Sequence, residues 1–255
     1  MQRLNENIMF EQYPDTGVVI IAFTGGYEKG LQSNSFEWLK ATGSYPYSRI
    51  FVRDTTGQMC VDGIDRQLDS FDKLLGALRE IIQHLKATQI ITIGSSAAAF
   101  PAILAAHLLK ADYCHAFSPL PYSSLKRSLL RMDKRMIQLI LRNGVFHYLS
   151  RIPFRKYYDL GKDLSNTNGH TRYFIHVCRH SRIDMKRAQY LSNFPNVNLI
   201  DYSCDQHTVA RYLAKHKCLG ELFNINNQNQ LLKMEFLQNA ITNKGYKTNP
   251  IHVAT

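Results

Sequence analysis

Several things are scarce in this chain, and each scarcity excludes something. No apolar run approaches the roughly 20 residues that a membrane-spanning helix needs. The opening Met1-Gln2-Arg3-Leu4-Asn5-Glu6-Asn7 lacks the basic-then-apolar layout of a secretory signal, so the expected location is cytoplasmic. Cysteine is sparse and odd in number, five in 255 residues, and Cys114, Cys178 and Cys204 fall on expected strands. That pattern argues against a disulfide framework and for buried, reduced thiols. His176, Cys178 and His180 alternate along one strand, but no fourth ligand accompanies them, so neither a metal nor a cofactor is expected. Acidic residues are outnumbered, 20 against 31 Lys plus Arg, giving a net charge of +11. Such a balance suits nucleic acid, an anionic surface or an acidic substrate. No nucleic-acid recognition motif accompanies the charge, so no nucleic-acid partner is expected. The sequence is silent on oligomeric state.

What is present reads as a globular α/β chain. The apolar fraction is 45% with 11% aromatics, enough for one substantial core. Asn7 to Tyr13 fits a short opening strand. Gly17-Val18-Val19-Ile20-Ile21-Ala22-Phe23 is apolar on both faces, as a central parallel strand must be. Arg49 to Arg53 is the next strand. From Ile64 to Leu85 apolar residues recur at three and four, the spacing of an amphipathic helix. Strands at Gln89–Ile93, Tyr113–Phe117, Thr171–Cys178 and Asn196–Tyr202 then alternate with helices, which argues for a mostly parallel sheet covered on both sides. Ser123 to Lys162 interrupts this rhythm. It is helical in pattern and basic, with Lys126, Arg127, Arg131, Lys134 and Arg135 in its first half, and aromatics are interleaved. It fits either a lid or a solvated helical face. Residues 224–255 are rich in Asn and Gln, and a loosely packed or partner-binding extension is expected there.

The chemistry centres on Gln89-Ile90-Ile91-Thr92-Ile93-Gly94-Ser95-Ser96-Ala97-Ala98, which leads straight into an Ala-rich helix. A strand, a sharp turn and a helix would place Ser96 at the tip of the turn, with small residues required two before and two after it. Gly94 and Ala98 fill those places. The N–H of Ala97 would then stand at a helix N-terminus, aimed at a developing oxyanion. The plain alternative is a Ser-capped helix packed closely on its strand. Thr24-Gly25-Gly26-Tyr27 follows another central strand, and the N–H of Gly26 is the candidate second oxyanion donor; a simple glycine turn is the alternative. Asp184 and His207 also follow strands, so on a parallel sheet they would share the carboxyl edge with Ser96. Each also fits a helix cap, and Asp205 is a rival acid lying too near His207 in sequence.

Across residues 7 to 223 the chain resembles the α/β-hydrolase superfamily. The resemblance rests on the elbow Gly94-Ser95-Ser96-Ala97-Ala98 and on the order serine, acid, histidine; Ala98 stands where that pattern has glycine. Phe51-Val52-Arg53-Asp54 and Ala116-Phe117-Ser118-Pro119 are similar to a branch found in bacterial surface-polysaccharide and capsule loci. The resemblance implies a three-layer α/β-hydrolase fold, with a mostly parallel central sheet and a helical lid insertion at about 119–170, in a domain spanning 1–223. It implies Ser96 as nucleophile, His207 as base, Asp184 as acid, and Gly26 and Ala97 as oxyanion donors. Tyr27, Asp54, Ser95, Arg127 and Arg131 are further candidates for substrate contact. The expected activity is ester or thioester hydrolysis, or acyl transfer, on a carbohydrate or anionic acyl substrate. The alternative is a catalytically silent scaffold binding a partner or polyanion through the basic insertion.

Overall fold

The computed structural model describes residues 1–25, 36–130, 132–134, 137–138, 141, 156–166, 169–194, 196–204, 207 and 209–223. Eight strands form one sheet: β1 (Gln2–Arg3), β2 (Ile8–Glu11), β3 (Val18–Thr24), β4 (Ser48–Arg53), β5 (Gln89–Ser95), β6 (Tyr113–Phe117), β7 (Arg172–Cys178) and β8 (Val197–Tyr202). Their spatial order is β1-β2-β4-β3-β5-β6-β7-β8. The first two pairings, β1 with β2 and β2 with β4, are antiparallel, and every pairing from β3 to β8 is parallel.

Helices α1 (Leu39–Thr42), α2 (Phe71–His84), α3 (Ala99–Leu109), α4 (Leu125–Leu130), α5 (Leu160–Asp163), α6 (Arg182–Ser192) and α7 (Val209–Lys215) accompany the sheet. One face buries α2, α3 and α6 against residues such as Val19, Ile21 and Phe23. The other buries α7 and the 3-10 turn Gly220–Phe223 against Ile20, Ala22, Ile91 and Ile93. Alternate residues of one strand thus feed two cores, which is why the central strands read as unbroken apolar runs. Helix α3 is buried from Ala99 through Ala106, so it carries no polar face.

The amphipathic run from Ile64 is shorter as a helix than its periodicity predicts. Asp65 Oδ1 accepts from the N–H groups of Gln67 and Leu68, and Gly63 holds a positive φ of 84°. These local bonds turn the chain, and the helix starts only after Ser70, whose hydroxyl accepts from Lys73 N. The opening strand also begins with an extra short pairing at Gln2–Arg3.

The cysteine expectation is corrected. Cys178 and Cys204 form a disulfide, with Cα atoms 5.2 Å apart, whereas Cys60, Cys114 and Cys218 are free and buried. The register explains it: Cys178 pairs with Tyr202, so the two chain ends leave the sheet side by side. Sequence separation hid a closeness that strand pairing creates.

Only the margins of the basic insertion are described. Tyr122 bridges to Asp159, and α6 anchors both margins, through Arg187 to Asp133 and through Tyr190 to Asp159. Gly161 is glycine for a steric reason, since a Cβ there would run into the Tyr190 hydroxyl. The middle of the expected lid and the tail 224–255 lie outside the described residues. Among the described residues no helix is long and apolar enough to cross a membrane.

Candidate active site

Strand β5 ends at Ser95, and Ser96–Ala98 form a 3-10 turn that runs into α3. Ser96 sits at φ 54°, the left-handed region that a side chain occupies only when its surroundings compel it. The surroundings here are backbone. A Cβ on Gly94 would run into the Ala98 carbonyl, and one on Gly25 would lie 2.7 Å from the Ala98 nitrogen and 2.8 Å from its methyl. Ala98 therefore fits where a glycine is usual because Gly25, at the end of β3, makes room for its methyl. Ala97 supplies one of the first N–H groups of the helical segment, which have no acceptor inside it.

The structure brings Ser96, His207 and Asp184 into one hydrogen-bonded chain. Ser96 Oγ lies 3.0 Å from His207 Nε2, and His207 Nδ1 lies 2.7 Å from Asp184 Oδ2. With Nδ1 protonated toward the carboxylate, Nε2 is left as the acceptor for the serine hydroxyl. Asp184 does not cap its helix. Ser181 takes that position, accepting from Asp184 N at 3.4 Å and donating its hydroxyl to Asp184 Oδ2 at 2.7 Å. Asp184 is 1% exposed. Burial pushes its carboxyl up, but the hydrogen bond and charge of His207, the Ser181 hydroxyl and the Arg187 guanidinium together outweigh burial and hold it below the usual carboxylate range.

The loops carrying the acid and the histidine are tied to each other and to the sheet. Arg179 makes two 2.8 Å bonds to the Asp201 carboxylate, and the disulfide lies beside it. Ser118, at φ 45° just past β6, donates its hydroxyl to the His207 carbonyl at 2.5 Å. Below, His176 Nε2 meets His115 Nδ1 at 3.1 Å and His176 Nδ1 meets the Tyr202 hydroxyl at 2.9 Å. Both imidazole nitrogens of His176 and the sulfur of Cys178 are thereby engaged. Sequence reading missed Arg187, Ser181, Ser118 and the disulfide. The Ser181-x-x-Asp184-x-x-Arg187 spacing, which stacks the three on one helical face, was the available signal.

The other candidates fare differently. Ser95 lines a cavity of about 510 Å³ beside the serine, together with Trp38, Leu39, Lys40, Ala210 and Arg211. Asp54 turns its carboxylate onto its own loop, accepting from Thr56, Gly57 and Cys60. Arg127 pairs with Asp159 at 2.6 Å. Gly26, Tyr27, Arg131 and the rival Asp205 lie outside the described residues.

No protein-family model matches the chain, and no curated protein matches it in sequence. Solved structures do. The capsule O-acetyltransferase of Neisseria meningitidis serogroup A is 18% identical with a TM-score of 0.59, over 86% of this chain and 92% of that one; that protein is also known in complex with CoA. MenH from S. aureus is 15% identical with a TM-score of 0.56, over 87% of this chain and 99% of that one. A lipase-esterase related protein from Clostridium acetobutylicum is 14% identical with a TM-score of 0.55, over 85% of this chain and 98% of that one. Strand order, layers and these likenesses agree: the chain has the three-layer α/β-hydrolase fold.

Proposed function

We propose that this chain is a serine hydrolase or acyltransferase acting on an ester or thioester, with Ser96 as nucleophile, His207 as base and Asp184 as the acid that orients it. The observation that carries the reading is the pair of contacts, 3.0 Å from Ser96 to His207 and 2.7 Å from His207 to Asp184, at the end of a strained turn. A serine hydroxyl is a poor nucleophile until an imidazole takes its proton, and the imidazolium needs a carboxylate beside it.

In this scheme Ser96 Oγ attacks the acyl carbon while its proton passes to His207 Nε2. The N–H of Ala97, with a second from the loop at Gly26, holds the tetrahedral oxyanion. His207 returns the proton to the departing alcohol or thiol, leaving an acyl-serine. Water or a sugar hydroxyl then gives its proton to His207 and attacks the acyl carbon, and His207 passes that proton to Ser96 Oγ as the acyl–serine bond breaks.

The cavity beside Ser95 suits an acyl substrate with an anionic portion, because Trp38, Leu39 and Ala210 offer apolar wall while the positive charges of Lys40 and Arg211 outnumber the one carboxyl among the described lining residues, Glu37. The likeness to a capsule O-acetyltransferase supports a carbohydrate acceptor and an acyl thioester donor. Residues 119–170 are proposed as a helical lid, within a domain of residues 1–223.

Fluorophosphonate labelling tests the reading. Wild-type protein should label at one serine, and Ser96→Ala should abolish labelling; undiminished labelling of that variant ends the nucleophile assignment. Wild-type protein that never labels, yet binds an acidic polymer in a salt-sensitive way, would instead support a silent binding scaffold.

A further inference from the structure

Arg187 is 2% exposed and stands between two buried carboxylates. On one side its Nη1 lies 3.4 Å from Asp184 Oδ1. On the other, Nε and Nη2 each make a 2.8 Å bond to Asp133, one to each oxygen. Asp133 is 7% exposed and also accepts the Tyr122 hydroxyl at 3.1 Å. It follows α4, in the segment that interrupts the order of strands between β6 and β7. One guanidinium therefore touches both that segment and the residue that holds the histidine.

The geometry divides the oxygens of Asp184 between partners. Oδ2 receives His207 and Ser181, and Oδ1 faces Arg187. A guanidinium is always charged and binds a carboxylate best with two parallel N–H groups. Here the paired geometry goes to Asp133, and Asp184 receives a single, longer contact. Without Asp133, Asp184 is the buried carboxylate left for Arg187, and the full cation turns toward the acid that His207 uses.

Building on the triad reading, we propose that Arg187 is a positioning residue whose charge, shared between Asp133 and Asp184, sets the strength of the base. With Asp133 in place, the Arg187 charge is largely matched by the insertion, and Asp184 acts on His207. With Asp133 neutralised, Arg187 competes for Asp184 and weakens the support of the imidazolium.

The groups facing Asp184 are the His207 imidazole, the Ser181 hydroxyl and the Arg187 guanidinium, and behind Arg187 lie Asp133 and Tyr122. Two single variants of the full chain therefore move His207 in opposite directions. Asp133→Asn removes a negative charge and should lower the His207 titration midpoint, read by NMR, by roughly half a pH unit. Arg187→Gln removes a positive charge and should raise it by roughly one unit. The double variant restores the charge balance and should return the midpoint toward wild type.

The rate of fluorophosphonate labelling supplies the second readout. Its pH midpoint should follow the NMR midpoint, and Asp133→Asn should slow labelling at neutral pH by up to about threefold. A merely structural role would lower the melting temperature of both variants without shifting the midpoints in opposite senses. Folded variants whose midpoints match wild type overturn the inference, even where Ser96 still labels and the triad reading stands. If Arg187→Gln does not fold, the downward shift in Asp133→Asn decides alone. A wild-type chain that fails to label overturns both readings.

Discussion

The serine and its two partners reach the same point by different physics. On the serine side, Gly94, Gly25 and Ala98 fix the turn by close contact of small residues, and α3 beneath it is apolar all round. On the other side Asp184 and His207 are held by charge, hydrogen bonds and one covalent bond: Arg187, Ser181, Ser118, the Arg179–Asp201 pair and the Cys178–Cys204 bridge. Steric fixing is indifferent to solvent conditions and intolerant of volume. Polar fixing tolerates shape changes better, and it answers to pH, salt and redox state. The molecule thus joins a rigidly held serine to an adjustable imidazole.

The largest effect that would break this contrast is expected at the elbow. Gly94→Val puts branched carbon against the Ala98 carbonyl, which is backbone and cannot rotate away. A loss of at least about 4 kcal/mol is expected, in the tail of single-site effects, and denaturant melts or failure to obtain soluble protein would show it. Next comes the disulfide. Its sequence separation of 26 residues corresponds to about 3.5 kcal/mol of chain entropy, so Cys204→Ser should lower stability by about that amount. Because the bond lies between the acid loop and the histidine loop, Ser96 labelling should slow as well, and dithiothreitol should reproduce both changes in wild type while leaving Cys204→Ser unaffected. Equal labelling rates before and after reduction would show that the non-covalent contacts, Arg179–Asp201 and Ser118–His207 among them, hold those loops without the bond.

How much of this was legible beforehand follows the same division. The elbow was readable because steric requirements are local: Gly94, Ser96 and Ala98 lie within five residues, and the strand and helix around them carry their own periodicity. The Gly25 contact was not readable, although its residue was singled out, because it depends on β3 lying beside β5. The polar side was legible only in its ends. Asp184 and His207 could be placed by counting strands, but Arg187–Asp133 joins residues 54 apart, a separation that no local periodicity spans. The disulfide was misread because compartment and cysteine count are weak guides when register puts two chain ends together. The basic insertion was read as a lid or a solvated helical face, and at its margins Arg127 and Lys156 are each paired, with Asp159 and Asp72.

A smaller effect sharpens the account of Ala98. Gly25→Ala should cost about 1 to 3 kcal/mol, since its methyl meets the Ala98 methyl at 2.8 Å and the Ala98 nitrogen at 2.7 Å. Ala98→Gly removes only the first of these contacts, so in a double-mutant cycle it should recover part of the loss. Full recovery would mean the methyls alone matter; no recovery would mean the backbone contact sets the limit. The coupling energy should be the same at pH 5 and pH 8, because no titrating group takes part.

The smallest effect is confined to acid and belongs to the polar side. Burial, reinforced by the neighbouring His115, holds His176 well below the ordinary histidine value of 6.5, so it is neutral when folded. Once unfolded it binds a proton near pH 6.5. The unfolded state therefore holds more protons below that pH, and stability is complete above about 6.5 and falls as the pH drops, by at most about 1.4 kcal/mol per pH unit. Asp184 adds nothing in this window, since its carboxyl is lowered and its contribution is lost only below the unfolded value of 3.8. Asp163 works in the opposite sense. Burial, then the charge of Asp159, raises it to about 6, so its contribution declines as the pH rises from 3.8 to about 6. The His176 limb must accordingly be read as a difference between two proteins. His176→Phe leaves the Tyr202 hydroxyl without its imidazole partner and should melt lower than wild type at pH 7.5, yet the gap should narrow steadily from pH 6.5 to pH 5. Parallel melting curves across that range would mean that the buried imidazole pair takes up its proton without unfolding, and that the polar half of the site is as indifferent to acid as the elbow.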